Sequence, residues 1–527
     1  MSGALLSAAG AKALDAEASA NWGLDPCALV EAAGRACAQV FCRAFPREAR
    51  SFAVLAGKGN NAADALVMLK ALVLDGYAQS SACLVVTPQV AATAAWDTTA
   101  VSTSAEGKTP LSQAMLAVRK MGVPVMKWDA AESAAIAHTL THYDVIIDGI
   151  TGTGLAGPLR DTALEMAEAV MAATAARHPC IVSIDVPSGN YDGWQTGSPM
   201  IAAHATLAIE PQKLCLYTPS ARPYAGNIIP VSGIFPSALI GQYREAELVA
   251  WEAAAAKIAP VAPTAYKYER GVVEIRAGST GAAGAARLAA LGAQAAGAGL
   301  VRLIVDPSLY PVIAPACSGI MAAPDTESGS AAADNRFAPN AALLGPGWGR
   351  GEDRLRLLET YLPREKSGLP LILDADAIAL AKGMTFNGNV LITPHPGEFA
   401  AYTGLSKDAI LNDPIPALRR CAQEKNIHIL LKSHVLYAAS PDGRIGIIDG
   451  MNPALAAGGS GDVLAGFCAG MAARQKPFDG YACACAAASL LIQAAKSDGV
   501  AGAFIDPAEL VRPAAVIAGA AWLPGEV

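Results

Sequence analysis

The sequence predicts an α/β fold built as two units. Three observations carry that reading. Short apolar runs alternate with longer amphipathic segments, glycine-rich turns fall where an apolar run gives way to a helix, and 527 residues are too many for one ordinary core. In the first half, "SFAVLAG" (51–57), "YDVIIDG" (143–149) and "CIVSIDV" (180–186) read as buried strands. In the second half, "LPLILDAD" (369–376), "NVLITPH" (389–395) and "IHILLKS" (427–433) repeat the pattern. After the first strand, "DALVMLKALVLDG" (64–76) places Leu66, Leu69 and Val73 on one helical face. This alternation implies βαβ units and a mostly parallel sheet in each half. Residues 237–271 hold an alanine-rich helix and then a proline-bearing extended piece, which sets the units at 1–236 and 261–527 with a linker over 237–260. The polar stretch "APDTESGSAAADNRFAP" (323–339) reads as a surface loop.

Composition narrows the function classes. Hydrophobic residues make up 53% and charged residues 16%, as large buried cores require, and this apolar content is compatible with homo-oligomerisation. A formal net charge of -7 lacks the basic footprint of a nucleic-acid binder. An anionic ligand must then be held by helix N-termini, glycine loops and a few local cations. The eleven cysteines include no CxxC pair and sit mostly among apolar neighbours, as buried free thiols do. The N-terminal stretch is broken early by Lys12, Asp15 and Glu17, and no run of 18 apolar residues occurs. The expectation is a cytoplasmic enzyme without a membrane span.

Ligands of open parallel sheets bind beyond the carboxyl ends of the strands, so the strand-to-helix turns carry the chemistry. In "GGSGDVLAGF" (458–467), Gly458, Gly459, Ser460 and Gly461 lead into a helix with Asp462 at its start. Glycines leave the amides open to an anion, and the helix N-terminus adds partial positive charge. Asp462 has an ordinary reading as a cap and a sharper one as the base that accepts a hydroxyl proton during phosphoryl transfer. No GxxxxGK[ST] loop is present. Asp374 and Asp376 follow a strand, where they either cap a turn or support a magnesium or phosphate site. His395 and Glu398 lie on a loop held by two prolines, and His395 alone reads more simply as a satisfied loop histidine.

In order and spacing, "GSTGAAGAARLAA", "LLGPGWG", "LILDADA", "LITPHPGEF", "LLKSHV" and "MNPALAAGGSGDVLAGFCAG" resemble the ADP/ATP-dependent NAD(P)H-hydrate dehydratases of the ribokinase-like superfamily, over about residues 260–527. The resemblance implies phosphorylation of the hydroxyl on the C6-hydrated nicotinamide and elimination of phosphate to restore NAD(P)H. It implies that Asp462 is the base and that ADP or ATP, with Mg2+, is held by Lys432, Ser433, His434, Val435, Gly459, Ser460 and Gly461. Ala285, Gly347 and His395 would line the hydrate pocket. Lys432-Ser433 stands where the family usually has Lys-Gly.

The first half resembles the NAD(P)H-hydrate epimerases, which are often fused ahead of the dehydratase. The resemblance runs through "LVEAAGRAC" (29–37), "LAGKGNNAADALVMLKAL" (55–72), "IIDGITGTGLAGPLRD" (146–161), "VSIDVPSGNYDGWQTG" (182–197) and "PQKLCL" (211–216). It implies potassium held by Asn61, Asp148 and Ser188, with Asp185 at the reacting carbon. Asn60, Asn61, Asp64 and the loop residues Gly152, Thr153, Gly154, Leu155 and Pro158 would bind the substrate. Asn-Asn-Ala-Ala-Asp-Ala over 60–65 replaces the family's Asn-Asn-Gly-Gly-Asp-Gly, and His204 stands where relatives often carry aspartate.

Together the resemblances imply a Rossmann-like three-layer domain followed by a ribokinase-like three-layer domain. Their joint activity would be exchange of the R and S epimers of NADH hydrate and NADPH hydrate, with nucleotide-dependent dehydration of the S form. Two readings compete. The second half could be a ribokinase-like kinase for a vitamin-like alcohol, and the first half a ligand-binding module without catalysis.

Overall fold

The computed structural model describes residues 3–45, 51–77, 81–91, 109–326, 338–502 and 504–523. The chain divides between Glu245 and Ala246 into two compact units. The first contains β1 (Gly3–Leu6), β2 (Phe52–Ala56), β3 (Ala82–Val86), β4 (Val125–Lys127), β5 (Val145–Gly149), β6 (Cys180–Ile184), β7 (Ala205–Ile209), β8 (Gln212–Lys213) and β9 (Asn227–Val231). Seven of these form a parallel sheet in the order β4-β3-β2-β5-β6-β7-β9, while β1 and β8 pair with each other.

The pleat explains why this unit has three layers. Along β2, Phe52, Val54 and Ala56 face the helices Pro26–Ala44, Asn60–Leu74 and Pro110–Lys120. Ala53 and Leu55 face the opposite layer, formed by the helices Ser133–Leu140 and Asp161–Arg177. A strand covered on both faces must be apolar throughout, which is why these runs do not alternate with polar residues.

The second unit adds β10 (Ala246–Leu248), β11 (Val272–Arg276), β12 (Leu300–Val305), β13 (Met321–Pro324), β14 (Ala341–Leu344), β15 (Leu371–Leu373), β16 (Val390–Ile392), β17 (His428–Leu431), β18 (Val435–Ala439) and β19 (Ile445–Asp449). Their order is β13-β12-β11-β14-β15-β16-β17-β18-β19-β10. Pairing is parallel except where β18 runs antiparallel to β17 and β19. One face packs under the helices Ala283–Ala295, Ser460–Ala472, Gly480–Ala495 and Val511–Trp522. Helices Ala283–Ala295 and Ser460–Ala472 approach backbone to backbone: a Cβ on Gly466 would lie 2.2 Å from the Ala289 carbonyl oxygen. That close approach is what the small-residue composition of both segments provides, and it brings the turn after β11 beside the start of Ser460–Ala472.

Residues 237–260, expected as a linker, carry structure. Helix Ser237–Tyr243 packs through Leu239 on Leu6 and Leu14 of the first unit. In the second unit, β10 pairs with β19 and helix Trp251–Ala255 buries Ala254. Apolar side chains in a segment that reads as polar and alanine-rich account for the difference. The expected loop at 323–339 begins inside β13, and 327–337 lie outside the described residues. No described helix is long and apolar enough to cross a membrane. None of the eleven cysteines forms a disulfide.

Candidate active sites

In the first unit the turns after β2, β5 and β6 converge. Asp148 lies one residue from the end of β5 and is fully buried, a costly place for a carboxylate unless its oxygens are satisfied. It accepts bonds from Ser183 Oγ (2.8 Å), the Ser188 amide (2.9 Å), Ser188 Oγ (2.5 Å) and the Ile150 amide (3.2 Å). Burial raises its pKa, and these bonds oppose the rise. Ser188 Oγ in turn accepts the Thr151 amide at 2.8 Å, and Asn61 Nδ2 donates to the Thr151 carbonyl at 2.9 Å. The three residues expected to hold a cation are therefore linked through Thr151. Asn61 Oδ1 is buried with no hydrogen-bond partner. An orphaned amide oxygen beside a carbonyl, a hydroxyl and a carboxylate is a donor set that fits a hard monovalent cation.

Above these residues lies a cavity of about 1000 Å³. Its walls include Asn60, Asn61, Asp64, Asp185 and the loop 150–158, so Gly152, Thr153, Gly154, Leu155 and Pro158 all reach it. Asp185 follows β6 at φ +62, a conformation uncommon outside glycine. Its Oδ1 lies 2.6 Å from Lys213 Nζ, which also donates to the Ile209 carbonyl at 2.9 Å. Both side chains are largely withdrawn from solvent. Lys213 was not singled out as a site residue from the sequence. Its only local signal is a lone lysine in the apolar stretch "PQKLCL", after the Glu210–Pro211 cis peptide.

The three alanines that replace family glycines lie elsewhere. Ala62, Ala63 and Ala65 are fully buried in helix Asn60–Leu74 and belong to the helical core layer, not to the cavity wall. None has a positive φ; the turn's left-handed residue is Gly59, at φ +99. Returning Ala62 or Ala63 to glycine is expected to cost about 1 kcal/mol of helix stability each and to leave ligand affinity unchanged. Thermal unfolding and hydrate titration of the two variants check this. His204 is exposed, and its Nδ1 accepts the Ile181 amide at 3.0 Å, a sheet-end contact.

In the second unit the segments after β11, β14, β15, β16 and β17 meet at one edge. Gly347, at φ +56, sits so close to the segment after β11 that a Cβ would lie 2.6 Å from Ala282 Cβ and 3.2 Å from Ala285 Cβ. Gly345 presses on the next turn, where a Cβ would fall 1.8 Å from the Asp374 carbonyl oxygen. Asp376 fixes this glycine turn by accepting the Gly349 amide (2.8 Å) and pairing with Arg350 (2.7 Å).

Asp374 is buried and accepts both Thr393 Oγ1 and Lys432 Nζ at 2.6 Å. Burial pulls the Lys432 pKa down, but Asp374 and Glu398 outweigh it and the net shift is upward. The ammonium reaches the helix start: a Cβ built on Gly461 would lie 3.3 Å from Lys432 Nζ. Gly459 is the helix cap, at φ +107 and without a side-chain bond to the first amides. Asp462 is therefore the third residue of the helix rather than its cap, which removes the ordinary reading. Its pKa is raised to about 6, chiefly by burial and also by Asp374 and Glu398, with Lys432 opposing.

Other expected positions are refined. His395 caps helix Pro396–Thr403 in a reciprocal capping box. Its Nδ1 accepts the Gly397 and Glu398 amides, and Glu398 Oε2 accepts the His395 amide at 2.8 Å. An Nδ1 accepting two amides acts as an acceptor, and Nε2, at the ring's other end, lies 3.6 Å from Glu398 Oε1. Ser460 Oγ donates to the Leu455 carbonyl. Ser433 bonds within its own turn to Val435, and Val435 is buried at the start of β18. Ser433 does not adopt a positive φ, so serine in place of the family's glycine is unstrained. Of the segment 432–435, Lys432 is the side chain that lies beside the start of helix Ser460–Ala472, while the His434 carbonyl accepts the Gly450 amide.

These features define a two-site α/β enzyme: a cavity beside the Asn61, Asp148 and Ser188 cluster at the strand ends of one sheet, and an uncapped helix start with an adjacent carboxylate and ammonium at the edge of the other. A family model described as NAD(P)H-hydrate dehydratase matches residues 273–505, and one described as YjeF-related protein N-terminus matches 26–215. The bifunctional NAD(P)H-hydrate repair enzyme Nnr of Moorella thermoacetica is 30% identical over 489 residues, covering 89% of this chain and 88% of that protein. The Escherichia coli enzyme of the same name is 29% identical, covering 89% and 85%. The crystal structure of the Bacillus subtilis ADP/ATP-dependent NAD(P)H-hydrate dehydratase, co-crystallized with ATP/Mg2+, is 28% identical and covers 51% of this chain and 97% of that one, with a TM-score of 0.46. The chain belongs to the bifunctional NAD(P)H-hydrate repair enzymes.

Proposed function

We propose that the chain repairs hydrated NADH and NADPH, the first unit exchanging the R and S epimers and the second dehydrating the S form with ADP or ATP. The observation that carries the reading is Asp462, a carboxylate poised near neutrality beside uncapped helix amides and the Lys432 ammonium. The amides and Lys432 stabilise charge on the transferring phosphoryl group, and Asp462 accepts the proton of the hydroxyl that receives it. Gly347 and Ala285 leave room for the hydrated ring, with His395 Nε2 at the open edge. Asp374 holds Lys432 in place, and Asp376 holds the glycine turn. Since both carboxylates are committed to these bonds, Mg2+ fits as the counter-ion of the nucleotide phosphates rather than in an all-protein cage.

In the first unit, Asn61 Oδ1, the Thr151 carbonyl, Ser188 Oγ and Asp148 would hold K+, which supplies positive charge beside the loop that embraces the substrate's phosphates. Asp185, paired with Lys213, faces the reacting carbon. Incubation of purified S-hydrate with ADP or ATP and Mg2+ tests the dehydratase reading. NADH forming only with nucleotide is expected; a stable phosphorylated alcohol and no NADH would favour the kinase reading.

Replacing Lys432 by methionine is expected to weaken nucleotide binding by at least about tenfold. It removes the charge that opposes the rise in the Asp462 pKa, so the acidic limb of the rate profile moves to higher pH. Nucleotide titration and a pH series on Lys432→Met check both effects.

A further inference from the structure

Asp64, expected among the substrate-binding residues, has a second feature that binding does not use. Asp64 is 8% exposed, lines the cavity, and leaves Oδ1 without a hydrogen-bond partner. A carboxylate so placed is costly, whereas a carboxylic acid presents a proton to whatever occupies the cavity. Burial raises its pKa well above the ordinary value; the charge of Asp185 adds to this, and Lys213 opposes. Asp185 has the opposite environment, with Lys213 Nζ 2.6 Å from its Oδ1. Two carboxyl groups in one cavity, one ion-paired and the other unpartnered, are the arrangement in which acid and base roles separate. Asp15, on helix Ala8–Asn21, and Cys37, on helix Pro26–Ala44, also act in this field, and Lys12, Lys58, Arg160, Asp161 and Glu210 line the same cavity.

We propose that Asp64 is the proton donor for epimer exchange, with the Asp185 carboxylate facing the positive charge that develops on the substrate; this rests on the epimerase reading above. The Asp64 proton passes to the hydroxyl oxygen on C6, and the C6–O bond breaks with its electron pair leaving as water. The ring nitrogen's lone pair closes onto C6 to give a planar iminium ion beside Asp185. Water adds to either face of C6, forming a new C6–O bond, and the proton it sheds returns to Asp64. No oxidant, reductant or further reactant is consumed, and Asp64 ends as it began.

The test is Asp64→Asn, which keeps the shape and removes the transferable proton. Exchange above the spontaneous rate is expected to fall at least ~100-fold while hydrate affinity stays within about threefold. Exchange retained within about threefold of the unmodified chain overturns the proposal, as does an affinity loss that matches the rate loss. A second measurement needs no variant. Infrared difference spectra of the unmodified chain, hydrate-bound minus free, are expected to show a perturbed carbonyl band of a protonated carboxylic acid, and absence of that band overturns the proposal. If the unmodified chain gives no exchange above the spontaneous rate, the epimerase reading itself falls, and the proposal with it.

Discussion

Asp462→Asn is expected to lower nucleotide-driven dehydration by about 10³-fold or more while leaving nucleotide affinity nearly unchanged. Asparagine preserves the size of the side chain at the third position of the helix, and the amides ahead of it still meet the phosphoryl group. What disappears is the proton acceptor. The unmodified chain should show the same chemistry in its pH dependence. A base must be ionised to act, and burial places the Asp462 pKa at about 6. Activity is therefore lost as pH falls through about 6 and reaches a plateau above it. That acidic limb should vanish from any residual activity of the variant. A rate profile from single-turnover measurements over this range, on both proteins, checks the pair of outcomes.

Asp148→Ala should have the largest effect on the first unit. The substitution leaves two hydroxyls and two amides, those of Ser183, Ser188 and Ile150, without their buried acceptor. Orphaned donors of this kind cost about 1–3 kcal/mol each before relaxation, so a loss of at least about 3 kcal/mol in the stability of this unit is expected. Thr151 depends on the same network through Ser188 Oγ, and with it the loop that lines the cavity. Potassium dependence of epimer exchange should disappear together with the stability. Thermal unfolding in potassium and in sodium salts separates the two effects, because the unmodified chain alone should be stabilised by potassium.

Much of this was legible in the sequence because the signals are local. An apolar run followed by glycine and then a helical pattern identifies a strand end: the residues at 185, 347 and 395 lie just beyond one, and 148 lies in the last residues of another. The helix of small residues at 283–295 shows its close packing in its composition alone. The ion pairs were not legible, since their partners are far apart in the chain. Lys213 meets Asp185 across 28 residues, and Lys432 meets Asp374 across 58. Nothing in the spacing of either pair marks it, because the sheet order rather than the sequence makes them neighbours. The same holds for residues 237–260, whose alanine-rich helical pattern reads as a spacer until β10 is seen to pair with β19. The alanines at 62, 63 and 65 show the converse. The departure is plain in the sequence, but that these residues face the core shows only in the structure, because the helix begins one turn earlier than its apolar pattern indicates.

The most direct test of the central claim is the extent of NADH recovery from purified, mixed-epimer NADH hydrate, with ADP or ATP and Mg2+ and without nucleotide. Complete recovery that depends on nucleotide and is faster than spontaneous epimerisation allows is expected. Recovery that stalls with one epimer left would contradict the epimerase role of the first unit. Absence of nucleotide-dependent recovery would contradict the role assigned to Asp462 and the second unit.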